Sequence, residues 1–256
     1  MPFIAEFWNS LTSTAYIIPG IMHFLNLQQL KGSVYEDINF DSIHRIRAMT
    51  LSWVFLGFGS FLFHATQTCW GEFLDELGMI SVSASTLCAL REHHILTTGN
   101  IGDLFYFLYF SIMAVCMGLY IVSGSHPFFS FVFIASSLLS VFVLSTGPSE
   151  MSDIQARKMR EGVIYALVGY GIWHIDQVCV SRDWIPSYEA YEWELQYLSH
   201  PVWHILTAMA GNSFISAVAF GVLRVDISSL HINAANKLLP NAPAVGIPIA
   251  DSTSMS

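Results

Sequence analysis

Three histidines stand where an apolar chain has least use for them. His64 lies near the end of one hydrophobic run, and His200 and His204 form an H-x-x-x-H pair at the start of another. Residues four apart share one face of a helix, so His200 and His204 can hold one metal ion between them. A third imidazole from another helix completes the three protein ligands of a catalytic zinc site, whose fourth position takes water. Asp75, at the start of a further hydrophobic run, is a candidate general base or a hydrogen-bond partner for a ligand histidine. Ser60 precedes His64 by one helical turn on the same face, where its hydroxyl can donate to a developing oxyanion. Residues of these types at this spacing point to metal-assisted hydrolysis.

Each residue also has a plainer reading. A single histidine in an apolar helix is more often a packing or hydrogen-bonding group than a ligand, and His23 and His174 fit that description. An acid such as Asp75 can simply complement a helix dipole, and a serine such as Ser60 can bond back to its own helix. Asp75 and Glu76 are adjacent and diverge on a helix, so at most one of them faces a common site. What favours the metal is the agreement in depth between residues far apart in the chain. Ionisable residues inside a membrane are functional candidates by default.

The elements that must position them follow from composition. Of 256 residues, 54% are hydrophobic and 11% charged, against roughly 25% charged in soluble domains. Apolar runs of roughly 17–25 residues span a bilayer as helices. Seven qualify: Phe7–Leu25, Ala48–Thr66, Phe73–Leu90, Leu104–Val122, Phe128–Thr146, Gly162–Val180 and Val202–Leu223. The expected fold is all-α, a seven-transmembrane helical bundle. The first run lacks a basic leader and a small-residue cleavage site, so it is expected to be a helix of the bundle rather than a signal peptide.

Orientation comes from the cations. Lys31, Arg45, Arg47, Arg91, Arg157, Lys158, Arg160, Arg224 and Lys237 share one side of this topology, and only Arg182 falls on the other. The positive-inside rule puts the N-terminus on the lumenal side and the C-terminus in the cytoplasm. Helices then alternate in direction. The end of the second run and the starts of the third and seventh meet at the lumenal end, which brings His64, Asp75, His200 and His204 to one level.

Residues 1–225 form the membrane domain in this reading, and 226–256 a cytoplasmic tail of Asn, Ala, Pro and Ser expected to be disordered. The segment Ser181–Ser199, rich in Trp, Tyr and Glu, suits the membrane interface. Four cysteines (Cys69, Cys88, Cys116 and Cys179) make no disulfide framework and are expected as free, buried thiols. The net charge of −9, with no basic patch, gives nucleic acid nothing to bind.

Several motifs carry a resemblance. G-S-F-L-F-H-A-T (Gly59–Thr66), F-L-D-E-L (Phe73–Leu77), W-H-I-D (Trp173–Asp176) and H-P-V-W-H-I-L (His200–Leu206) resemble the alkaline ceramidases. These are seven-helix membrane amidases in a superfamily that includes the adiponectin-type receptors. I-A-E-F-W-N (Ile4–Asn9) is similar to the stretch that leads into that family's first helix. The resemblance implies zinc held by His64, His200 and His204, with Ser60 and Asp75 in the active site. It implies hydrolysis of ceramide to sphingosine and a fatty acid in endoplasmic reticulum or Golgi membranes, with ceramide and other membrane lipids as partners.

The resemblance also implies a calcium site beside the zinc. The family's W-C-E-x-N element, which supplies most calcium ligands, belongs ahead of I-A-E-F and does not occur in this sequence. Glu6 is the one calcium ligand left, a single carboxylate against the roughly 6–8 oxygens calcium takes. The expectation is an intact zinc half and an incomplete calcium half, from an N-terminal truncation or lost calcium regulation.

Two other classes compete with an enzyme. An adiponectin-type receptor with a structural zinc would reverse the charge asymmetry, with its N-terminus cytoplasmic. A transporter would use the histidines as a proton relay without zinc. A retinal protein needs a lysine within the last helix, and Lys31, Lys158 and Lys237 all lie outside the apolar runs.

Overall fold

The computed structural model describes residues 6–30, 40–90, 99–123, 126–145, 152–181 and 191–223, all of which belong to helices or their immediate caps. The proposed tail, 226–256, lies outside the described residues, as does the side chain of Cys179. Helix α1 (Phe7–Ser13) passes through a 3-10 turn, Thr14–Tyr16, into α2 (Ile17–Leu30). There follow α3 (Phe40–Thr66), α4 (Cys69–Ala89), α5 (Gly99–Ser123), α6 (His126–Ser145), α7 (Asp153–Ser181) and α8 (Tyr191–Leu223). The described residues contain no strand.

Every one of the seven predicted runs falls on these helices. Among the described residues, two stretches, Asp41–Thr66 in α3 and Ser199–Gly221 in α8, are long and apolar enough to cross a membrane. Elsewhere the pattern is diluted for identifiable reasons. The first run is divided by its 3-10 turn, and α4 carries Glu72, Asp75 and Glu76. Helix α8 begins at Tyr191, well ahead of its apolar run, and accommodates Pro201 within it. That proline cannot donate the usual backbone hydrogen bond one turn back.

Helix α3 is the organising strut, packed against α1, α2, α4 and α8. Its join to α4 is short. Gln67 adopts a left-handed φ of 51° and its N–H closes α3 onto the Phe63 carbonyl at 2.6 Å, the single-bond form of a helix C-cap. Thr68 then caps α4, its hydroxyl accepting from the Gly71 N–H at 3.2 Å.

The two helices leave this turn almost touching. A Cβ on Gly59 would lie 2.5 Å from the Leu74 carbonyl oxygen, and one on Gly71 would lie 2.7 Å from Phe63 Cα. Only glycine permits that approach, as small residues do where membrane helices meet closely. This seam sets Ser60 beside Asp75.

One core joins Tyr16, Leu27, Ile46, Met49, Trp53, Leu87, Ile215 and Val218 across α2, α3, α4 and α8. A smaller one (Ile80, Met113, Phe129 and Val132) attaches α5 and α6 to α4. Several buried hydroxyls are satisfied locally: Ser136, Ser140 and Ser216 each donate to the carbonyl four residues back. The outward surfaces are apolar, with Phe107, Val115, Val122, Phe131, Leu138 and Leu167 among many exposed large side chains. Cys69, Cys88 and Cys116 are free thiols. Contrary to expectation Cys69 is exposed, because it opens α4 directly after the turn.

Candidate metal centre

The end of α3 delivers His64, and the first half of α8 delivers His200 and His204. Their ring centroids form a nearly equilateral triangle: 4.9 Å from His64 to His200, 5.0 Å from His64 to His204, and 4.8 Å from His200 to His204. One ligand atom from each lies within 4.8 Å of the other two, an arrangement able to hold a metal ion. His64 and His204 are buried and His200 is partly exposed. Convergence at one end of the bundle, expected from alternating helix direction, is what the fold contains.

The outer partners fit a metal on the same side of the rings. His64 Nδ1 is 2.6 Å from Glu6 Oε2, and His204 Nδ1 is 3.1 Å from Thr12 Oγ1. In both rings Nδ1 is thus engaged, which leaves Nε2 available as the ligand atom. A ligand histidine whose second nitrogen donates to a carboxylate or other oxygen is the usual design of a zinc site. The donor set, three imidazoles with an acid nearby, suits zinc.

Glu6 does more than touch His64. Its backbone N–H donates to the His64 carbonyl at 3.0 Å, and Asn9 Nδ2 donates to the same carboxylate oxygen at 2.9 Å. Burial alone would raise the pKa of Glu6, but the hydrogen bonds from His64 and Asn9 outweigh it and hold the carboxyl below its ordinary range. Here Glu6, singled out as a calcium ligand, sits on a zinc-type ligand.

Ser60 is buried and accepts from Ser13 Oγ at 3.0 Å. The partly buried carboxyl of Asp75 hydrogen-bonds to Ser60 and lies within electrostatic reach of His200. Glu76 diverges as expected: it is buried and bonds instead to Tyr120 on α5. The two histidines read as packing residues are engaged elsewhere, His23 with Asn212 Oδ1 at 2.9 Å and His174 stacked on Tyr170.

Sequence reasoning missed Asn9, Thr12, Ser13 and Tyr16, the last packed edge-on against His204 at 5.5 Å. A signal was present. Glu6, Asn9 and Ser13 recur at helical spacing within an apolar run, which marks one polar face turned inward.

A protein-family model described as Ceramidase matches residues 1–236. The chain belongs to the ceramidase family. Membership supplies the activity class, a hydrolase acting on ceramide, and with it a lipid substrate. No curated protein matches the chain.

Proposed function

We propose that this protein is a zinc-dependent alkaline ceramidase that cleaves the ceramide amide within the membrane, releasing sphingosine and a free fatty acid. The observation that carries the proposal is the His64–His200–His204 triangle, with Nδ1 of two rings already committed to outer partners, in a ceramidase-family chain. A zinc ion bound there supplies a strong nucleophile at neutral pH by acidifying water, and polarises the amide carbonyl.

The chain's own groups perform the rest. Asp75 takes the proton from the attacking water as its oxygen bonds to the carbonyl carbon. Ser60 donates to the carbonyl oxygen as negative charge develops there. Asp75 then returns the proton to the amide nitrogen as the C–N bond breaks, so sphingosine leaves as a neutral amine. The Ser60–Asp75 hydrogen bond keeps the two groups in mutual register before substrate arrives.

The seven helical segments, the apolar outer surface and the one-sided distribution of Lys and Arg support seven crossings with the N-terminus lumenal and the C-terminus cytoplasmic. Contiguous exposed apolar area on this scale has no role in water. Endoplasmic reticulum or Golgi membranes are the setting in which such a lipid substrate is met. Calcium is not required by this mechanism, in which Glu6 serves His64.

Release of sphingosine from ceramide by the detergent-purified protein tests the proposal. Asp75→Asn keeps the fold and the zinc but cannot carry the proton, and its kcat is expected to fall about 10²–10⁴-fold, the worth of a positioned acid–base group. Wild-type kcat in that variant would remove Asp75 from the reaction.

A further inference from the structure

Thr12 and Ser13, at the end of α1, touch the metal site without being able to bind metal. Thr12 Oγ1 lies 2.8 Å from the Trp8 carbonyl and 3.3 Å from that of Asn9, so its single proton is committed to the backbone of its own helix. Its oxygen can then only accept. His204 Nδ1, 3.1 Å away, must be the donor; together with the His204 hydrogen bond to the Asn9 backbone, this fixes the tautomer with the proton on Nδ1 and the lone pair on Nε2. Ser13 is fully buried. Its hydroxyl lies 3.0 Å from Ser60 Oγ, 3.4 Å from His204 Nδ1 and 2.7 Å from the Asn9 carbonyl. Ser13 is the donor in both the Asn9 and the Ser60 contacts, so its one proton is shared between the two acceptors; the Ser60 share faces a lone pair of that hydroxyl and turns the Ser60 proton toward Asp75 or an oxyanion.

We propose that Thr12 and Ser13 are positioning residues with separate tasks: Thr12 sets the tautomer and ring orientation of His204 for zinc, and Ser13 orients the Ser60 hydroxyl for the reaction. The assignment rests on the zinc reading given above. It explains why a helix as short as α1 is held between α3 and α8, since its hydroxyls must reach a group on each. It also separates binding from chemistry, because the two neighbouring side chains act on different partners.

The test is zinc affinity, measured by chelator competition on the full-length protein in detergent, alongside kcat and KM for ceramide. Thr12→Val, nearly isosteric, and Thr12→Ala, which adds no bulk if valine disturbs the fold, are each expected to raise the zinc Kd about 10–100-fold. Thr12→Ser restores the acceptor and the wild-type affinity. Thermal unfolding of the zinc-free forms is expected to match wild type, which a merely structural threonine would not allow. Ser13→Ala is expected to retain zinc and KM while kcat falls about tenfold, the worth of one hydrogen bond of roughly 1.4 kcal/mol. Wild-type zinc affinity in both Thr12→Val and Thr12→Ala overturns the Thr12 assignment, and unchanged kcat in Ser13→Ala overturns that of Ser13. A wild-type protein that binds no zinc overturns the zinc reading itself, and the Thr12 assignment with it.

Discussion

Two glycines show how differently the two sides of this bundle are built. Gly59, between α3 and α4, has backbone so close that a methyl group would sit 2.5 Å from the Leu74 carbonyl oxygen; Gly118, on α5, has nothing within 4 Å of that position. Around Gly59 the helices are in backbone contact, and polar side chains of Glu6, α1, α3 and α8 are linked by hydrogen bonds of 2.6–3.1 Å. Around Gly118 the α5–α6 pair joins the rest through a small apolar cluster on α4, and much of its surface, Val115 and Phe131 included, faces outward. One side is fixed by backbone contact and hydrogen bonds, the kind of support a catalytic geometry requires. The other offers interchangeable apolar contact, which is what a face turned to acyl chains needs.

Ser60→Ala probes that contrast most sharply. It removes one donor from the hydrogen-bonded side and no packing volume of consequence. We expect kcat to fall about 10²–10³-fold with zinc retained, measured by sphingosine release alongside metal analysis. A small effect would mean that Ser60 is held in place for structural reasons and that the network does not serve the reaction.

The glycines themselves give the intermediate effect. Gly59→Ala forces α3 away from α4 and is expected to cost about 1–3 kcal/mol of stability, read from thermal unfolding in detergent, with a lowered kcat because Ser60 and Asp75 part. If Gly59→Ala were as stable as wild type, the close seam would not be what holds the site. Gly118→Ala is the matched control and the smallest change. With open space around it, only helix propensity acts, and stability is expected to rise by up to about 1 kcal/mol with activity unaltered.

The inner histidine triangle was legible from the chain because two independent signals coincided. Four-residue spacing put His200 and His204 on one face, and alternating helix direction brought His64 to their level. The helices were equally legible from the seven apolar runs. The break at Thr14–Tyr16 was not, because a 3-10 turn interrupts the backbone without interrupting hydrophobicity.

The outer partners escaped for a related reason. Asn9, Thr12 and Ser13 are small polar residues of a kind that usually bonds to its own helix, and Thr12 and Ser13 do so as well. Their second contacts, with His204 and Ser60, depend on where α1 lies against α3 and α8, which periodicity does not specify. Glu6 was singled out by resemblance and met at an unforeseen place, on His64 Nδ1. The Gly59–Leu74 approach was hidden too, since a glycine in an apolar helix carries no mark of what it touches.

The central claim is that three histidines hold a zinc ion that the reaction needs. Zinc content and ceramide hydrolysis measured together on the purified protein, wild type beside His204→Ala, test it most directly. We predict one zinc per wild-type chain, loss of activity on chelation with recovery on adding zinc back, and neither zinc nor activity in His204→Ala. Folded wild-type protein that hydrolyses ceramide without bound zinc would contradict the account.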